Sequence, residues 1–198
     1  MPRSRTVKSL TALVMAMTSG TFVLMLLECK ADPLRPPTDR LAATASGGLN
    51  FEQVVWQTRV PVQPMKWRYV VVHSAPSAAG ELAQGCHFLV WQSPDGRGYR
   101  VTPTQRWDSQ VDGRHVFVGG HDYNSISIGI CLIGEFSAQP PTQEQFNALI
   151  ALVRQLRQDC GIPADRIYLA RQLPTTTRSP GQAFPADLFD RLIRAPLR

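Results

Sequence analysis

The sequence predicts an α/β domain, a single mixed central β-sheet flanked by helices, preceded by an N-terminal hydrophobic segment. Three observations carry that prediction. Residues 128–133, Ile-Gly-Ile-Cys-Leu-Ile, form an apolar run closed by Gly134. The run is too short for a helix and rich in β-branched residues, so it reads as a strand buried on both faces. Phe146, Leu149, Ile150, Val153 and Leu156 recur at helical spacing and give one apolar stripe for a sheet. Finally, the order of mixed strands followed by helix, strand and helix builds layers around one sheet.

Taken from the start, Arg3, Arg5 and Lys8 precede an uncharged run over residues 9–27. That pattern makes residues 1–29 a signal peptide or a membrane anchor, and the protein exported: membrane-anchored, periplasmic or extracellular. No small-x-small cleavage site follows, which favours an uncleaved anchor. Leu26-Leu27-Glu28-Cys29 faintly resembles a bacterial lipobox, but Glu28 stands where that motif needs a small residue. Residues 30–65 hold five prolines and an Ala-Thr-Ala-Ser-Gly-Gly stretch and read as a linker. Within it, residues 51–60 are compatible with a short strand or turn against the domain.

The domain is expected over residues 66–198. Residues 67–73, Trp-Arg-Tyr-Val-Val-Val-His, form a strand emptying into a loop at His73. Residues 88–91 and 98–101 read as a hairpin around the turn composition Ser93-Pro94-Asp95-Gly96. Residues 106–115 read as irregular structure, and residues 121–127 as a polar loop that delivers His, Tyr and Asn side chains to the central strand. Thr142, with Gln145 three residues on, predicts a capping box for the long helix, which Gly161 and Pro163 stop. Residues 165–169 read as a last strand. Residues 187–193 read as a terminal helix with Leu188, Leu192 and Ile193 inward.

Charge argues against nucleic acid as a partner. Of the 21 basic and 15 acidic residues, 7 and 4 fall before residue 66, leaving 14 and 11 in the domain, a balance of only +3 without basic runs. The four cysteines have no Cys-x-x-Cys spacing, which excludes a zinc ribbon or thioredoxin motif and leaves a disulfide open.

Several motifs, in order, resemble the zinc N-acetylmuramoyl-L-alanine amidases and the related peptidoglycan recognition proteins. They are Tyr-Val-Val-Val-His73-Ser-Ala, Gly85-Cys86-His87-Phe88, Arg106-Trp107, Gln110, Gly113-Arg-His115, Tyr123-Asn124 running into Ser-Ile-Gly-Ile-Cys-Leu-Ile-Gly, and the helix opening Pro-Thr-x-x-Gln. The resemblance implies His73 as a zinc ligand and a groove that binds peptidoglycan or a muropeptide through His73, His87, His115 and Asn124. It also implies a second ligand where Ala170 stands, a third where Ser179 stands, and a catalytic Tyr where Cys86 stands. A methyl cannot ligate and a neutral hydroxyl is a poor zinc donor, whereas catalytic zinc needs about three protein ligands. His73 is thus the only retained ligand position and is expected to be unmetallated, with no cofactor.

The expected function is binding of peptidoglycan or muropeptide by a catalytically inactive member of the family. Two other readings stay open. One is an active amidase with zinc on a rearranged site of His73, Cys86 and His115 or His121. The other is a non-catalytic scaffold for a protein partner.

Overall fold

The structure is a computed structural model that describes residues 51–93, 96 and 98–196, all of which lie in one compact unit. The expected anchor or signal at 1–29, with Cys29, and the linker up to residue 50 lie outside the described residues. Among the described residues no helix is long and apolar enough to cross a membrane.

Five strands form one mixed sheet: β1 (Tyr69–Ala75), β2 (Phe88–Gln92), β3 (Tyr99–Pro103), β4 (Ser127–Ile133) and β5 (Ile167–Leu169), in the order β3-β2-β4-β1-β5. Only the β2–β3 hairpin is antiparallel; β2–β4, β4–β1 and β1–β5 are parallel. The predicted run becomes the middle strand β4, and its burial on both faces follows from that place. The hairpin turn closes as its composition demands, with the Gly96 amide donating to the Ser93 carbonyl at 2.9 Å.

Side chains alternate across the sheet. Val70, Val72, Phe88, Val90, Ile128, Ile130 and Leu132 share the main core with Leu149, Leu152, Val153 and Leu156. Those last four belong to the long helix α5 (Gln143–Cys160), and Phe189 and Ile193 of α6 (Ala186–Arg194) complete the layer. On the opposite face two smaller clusters form, one around Ala75, Cys86, Leu89 and Cys131, the other around Val71, Val116, Ala170 and Leu173.

Four local expectations are corrected. The N-terminal stretch forms a helix, α1 (Phe51–Trp56), rather than a strand or turn, and it packs on the domain upstream of the expected start at Lys66. Val55 is buried, its carbonyl accepts Trp107 Nε1–H at 2.8 Å, and Trp56 Nε1–H reaches Asp159 at 3.1 Å. The reciprocal capping box is half made. Thr142 Oγ1 accepts the Gln145 amide, but the Gln145 side chain turns into the core to donate to the carbonyls of Val90 and Ile133. The reason is demand: where the β2–β4 pairing ends, the carbonyls of Val90 and Ile133 lie beside α5 and need a buried donor. In α6 the stripe is shifted by one residue, with Phe189 buried and Leu188 exposed. Lastly, the stretch read as irregular begins with a helical turn, α3 (Gln105–Asp108), capped by Thr104.

Candidate functional site

His73 sits near the carboxyl end of β1 with only 2% of its surface exposed, beside Cys131 in the β4 register. Its Nε2 lies 3.1 Å from His115 Nδ1. The His115 ring is held between two glycine backbones. A Cβ at either Gly113 or Gly129 would stand 2.4 Å from its Cδ2, so both positions must lack a side chain. At the far edge of the ring, His115 Nε2 lies 3.4 Å from Ser127 Oγ.

Asn124, expected to touch substrate, instead fixes the loop that carries His115. It belongs to a single helical turn, α4 (Tyr123–Ile126), whose N-cap is Asp122. Its Oδ1 accepts the backbone amides of His115 and Val116 at 3.0 and 3.1 Å, and its Nδ2 donates to the Val116 carbonyl at 2.7 Å. Three of its four hydrogen-bonding positions are thereby used internally.

His87, also expected in the groove, is fully buried against Trp67 and Trp107. Its Nδ1 accepts the Gly129 amide at 3.0 Å and its Nε2–H donates to the Val111 carbonyl at 3.0 Å. Both ring nitrogens are spent on backbone, so His87 is a structural residue. Gln110 has a similar role. Its Oε1 accepts from the Trp67 indole at 3.0 Å and from the Gln63 amide at 3.1 Å, stapling the approach to β1 onto the domain.

The positions that the resemblance assigns to zinc do converge on the end of β1. Ala170 is buried beside Val71, Val116 and Leu173. Ser179 Oγ accepts the Ser74 amide at 2.6 Å, and Ser74 Oγ–H donates to the Pro180 carbonyl at 3.0 Å. Cys86 is fully buried in the cluster with Cys131, and burial, then its neighbour Cys131, push its thiol well above the usual range. His121 is exposed, its ring 6.0 Å from that of Tyr123.

This donor set does not fit zinc. Among the described residues no group of three or more His, Cys, Asp or Glu side chains is gathered as a metal would require. His73 gives one nitrogen to His115, Ala170 has no donor atom, the Ser179 hydroxyl is engaged with backbone, and the Cys86 thiol is held protonated.

What the site does possess is a pocket of about 160 Å³ with His73 and His115 in its floor. Leu82, Val116, Phe117, Ala170 and Leu173 supply apolar walls, and Thr175, Thr176 and Thr177 a hydroxyl-bearing rim. Phe117 stands 83% exposed. Leu82 comes from α2 (Glu81–Gly85), a five-residue helix that is all the wall the short chain between His73 and Cys86 can build. Sequence reasoning missed Phe117 and the threonines. The available signals were an aromatic between two valines ahead of Gly119-Gly120 and a run of three hydroxyl residues after β5.

The electrostatics keep the floor neutral. Burial, reinforced by the neighbouring His115, holds His73 well below the usual imidazole range. Burial also lowers His115 to about 4, against a hydrogen bond to the Ser127 main chain that raises it, and lowers His87 to about 3.

A neutral pocket at the carboxyl end of a parallel strand, on a mixed sheet backed by one long helix, defines the class: an α/β domain of the amidase-like fold. The chain belongs to the N-acetylmuramoyl-L-alanine amidase family, which it matches over residues 63–182. Among solved structures it is similar to the N-acetylmuramoyl-L-alanine amidase LysC from Clostridium intestinale URNW, with a TM-score of 0.51 and 19% identity over 69% of this chain and 91% of that one. It is also similar to AMPDH3 from Pseudomonas aeruginosa, solved in complex with anhydromuramic pentapeptide. There the TM-score is 0.53 and the identity 18%, over 64% of this chain and 60% of that one. At these identities the likeness speaks for the fold. No curated protein sequence matches the chain.

Proposed function

We propose that this protein binds peptidoglycan or a muropeptide without hydrolysing it. Family membership supports a peptidoglycan-related role, and the observation that carries the non-hydrolytic reading is the fate of the ligand positions. Of His73, Ala170 and Ser179, only His73 retains a metal donor, and one of its nitrogens is given to His115. Hydrolysis of an amide by this family's chemistry needs an activated water, and a single imidazole neither holds nor activates one through a metal. Binding needs less: a shaped pocket with a few oriented polar groups, which His73, the threonine rim and the exposed Phe117 supply. The basic start and uncharged run of residues 1–29 support an exported protein within reach of the cell wall.

Co-sedimentation of the full chain with isolated cell-wall sacculi tests the reading. The protein is expected in the pellet, with no stem peptide released into the supernatant. A chain that stays in solution, or peptide release that depends on added zinc, would overturn it.

A further inference from the structure

Cys86 and Cys131 are a chemically reactive pair to which the peptidoglycan reading gives no role. Both are thiols, both are fully buried, and they share one small cluster with Ala75, Ala83 and Leu89. Their positions follow from the elements that carry them. Cys131 lies within β4, level with Leu89 of β2, and its side chain falls on the face opposite the main core. Cys86 is the C-cap residue of α2, the short helix that packs on β4 on that same face. The end of α2 thus lays the Cys86 thiol onto β4, where it hydrogen-bonds to the Cys131 thiol. Cys160 closes α5 and packs in the main core, so the sheet stands between it and the pair.

We propose that Cys86 and Cys131 are a disulfide site: when the chain folds in the presence of a disulfide oxidant, the two sulfurs bond and tie α2 to the strand beneath it. The step is thiol–disulfide exchange. One cysteine thiolate attacks the oxidant's S–S bond, forming a mixed disulfide and releasing one oxidant thiol. The second thiolate attacks the protein sulfur of that mixed disulfide, forming the Cys86–Cys131 bond and releasing the other oxidant thiol. Two electrons pass to the oxidant, and the two protons leave with its thiols. The bond forms during folding rather than in the finished protein, because burial shuts out an oxidant and holds the Cys86 thiol protonated. A metal is the weaker occupant: a structural thiolate site takes about four ligands, and this cluster offers two sulfurs among alanine and leucine side chains. Joining residues 86 and 131 closes a long loop, which restricts the unfolded chain and so stabilises the fold. The inference is independent of what the pocket binds.

Refolding of the reduced full chain in a mixture of glutathione and glutathione disulfide, followed by alkylation, digestion with trypsin and mass spectrometry, tests the assignment. The peptide of residues 69–97, with Cys86, and that of residues 115–154, with Cys131, should appear joined in one species lighter than their sum by two hydrogens. The peptide of residues 158–166 should carry Cys160 alkylated. The bond should survive dithiothreitol until denaturant is added, and the urea midpoint of the linked chain should lie about 1 M or more above that of the reduced chain. Alkylation of both Cys86 and Cys131, or pairing of either with Cys29 or Cys160, overturns the proposal. So does a bond that dithiothreitol alone removes from the folded chain, or a linked form whose midpoint is no higher than that of the reduced one.

Discussion

Ser179 Oγ accepts the Ser74 backbone amide at 2.6 Å, so the loop that follows β5 is strapped to the end of β1 by a hydroxyl where the family resemblance places a metal ligand. The strap has further strands: the Arg171 amide donates to the Ser179 carbonyl at 2.9 Å, and its guanidinium donates to the Gly181 carbonyl. This loop thus converges on the end of β1 through these hydrogen bonds. Ser179→Ala should cost about 1 kcal/mol of stability and speed proteolysis within residues 174–181. Limited proteolysis with mass spectrometry checks it, and an unchanged cleavage rate counts against the strap.

If missing donors are what keeps zinc away, restoring them should bring it back. The double variant Ala170→His, Ser179→Asp places two donors beside His73 on a loop already converging there. It is expected to retain close to one zinc per chain after dialysis, where the parent retains far less. Elemental analysis of both proteins decides the point; a parent chain with stoichiometric zinc contradicts the reading.

The three buried imidazoles predict a pH dependence of stability. In the unfolded chain they take up protons near the ordinary value of 6.5, whereas in the fold His115 does so only at about 4 and His87 at about 3, with His73 also far below its usual range. Between those values the unfolded state binds more protons, so stability rises with pH. The contribution is complete above 6.5 and is lost as the pH falls through that value toward 4 and then 3. Every tenfold weakening of proton affinity on folding corresponds to about 1.4 kcal/mol, so the loss should amount to several kcal/mol. Denaturant midpoints measured across this window should fall steadily on acidification; a flat profile would show that the rings titrate normally.

Gly129→Ala should act through His115. The added Cβ would meet the ring at 2.4 Å, within a β-strand whose backbone has no room to withdraw. Overpacking of this kind costs about 1–3 kcal/mol, and the displaced ring would also release His73. Chemical denaturation together with loss of the native His115 ring resonance identifies the effect. A variant of parental stability with that resonance intact would refute it.

Phe117 offers the opposite profile. At 83% exposure its ring adds little to the fold, so Phe117→Ala should leave stability within about 0.5 kcal/mol. As a flat apolar surface at the pocket mouth it should nevertheless matter to a bound muropeptide, with a loss of roughly 2- to 10-fold in affinity. Equilibrium binding of a fluorescent muropeptide to parent and variant checks both halves.

The fold was legible because its signals are local and periodic. The apolar run of β4, the stripe of α5 and the strand ending at His73 each announce themselves within a few residues, and the ordered motifs identify the family. The site was less legible because its residues act through partners distant in sequence. Nothing near His87 or Asn124 reveals that a backbone group tens of residues away, or a loop nine residues back, would consume their polar atoms. Nor does the helical pattern of α6 tell Leu188 from Phe189, since both fit a stripe until packing against α5 and Phe184 chooses between them. That Ala170 and Ser179 stand where the resemblance implies metal ligands, by contrast, was visible in the sequence.

A pocket that holds its ligand and leaves it whole can be distinguished from a hydrolytic one by mass spectrometry of a muropeptide recovered from its complex with the full chain after incubation in excess zinc. A retained ligand of unchanged mass is expected. Separate recovery of the glycan and an L-alanyl stem peptide would show instead that the bond is cut.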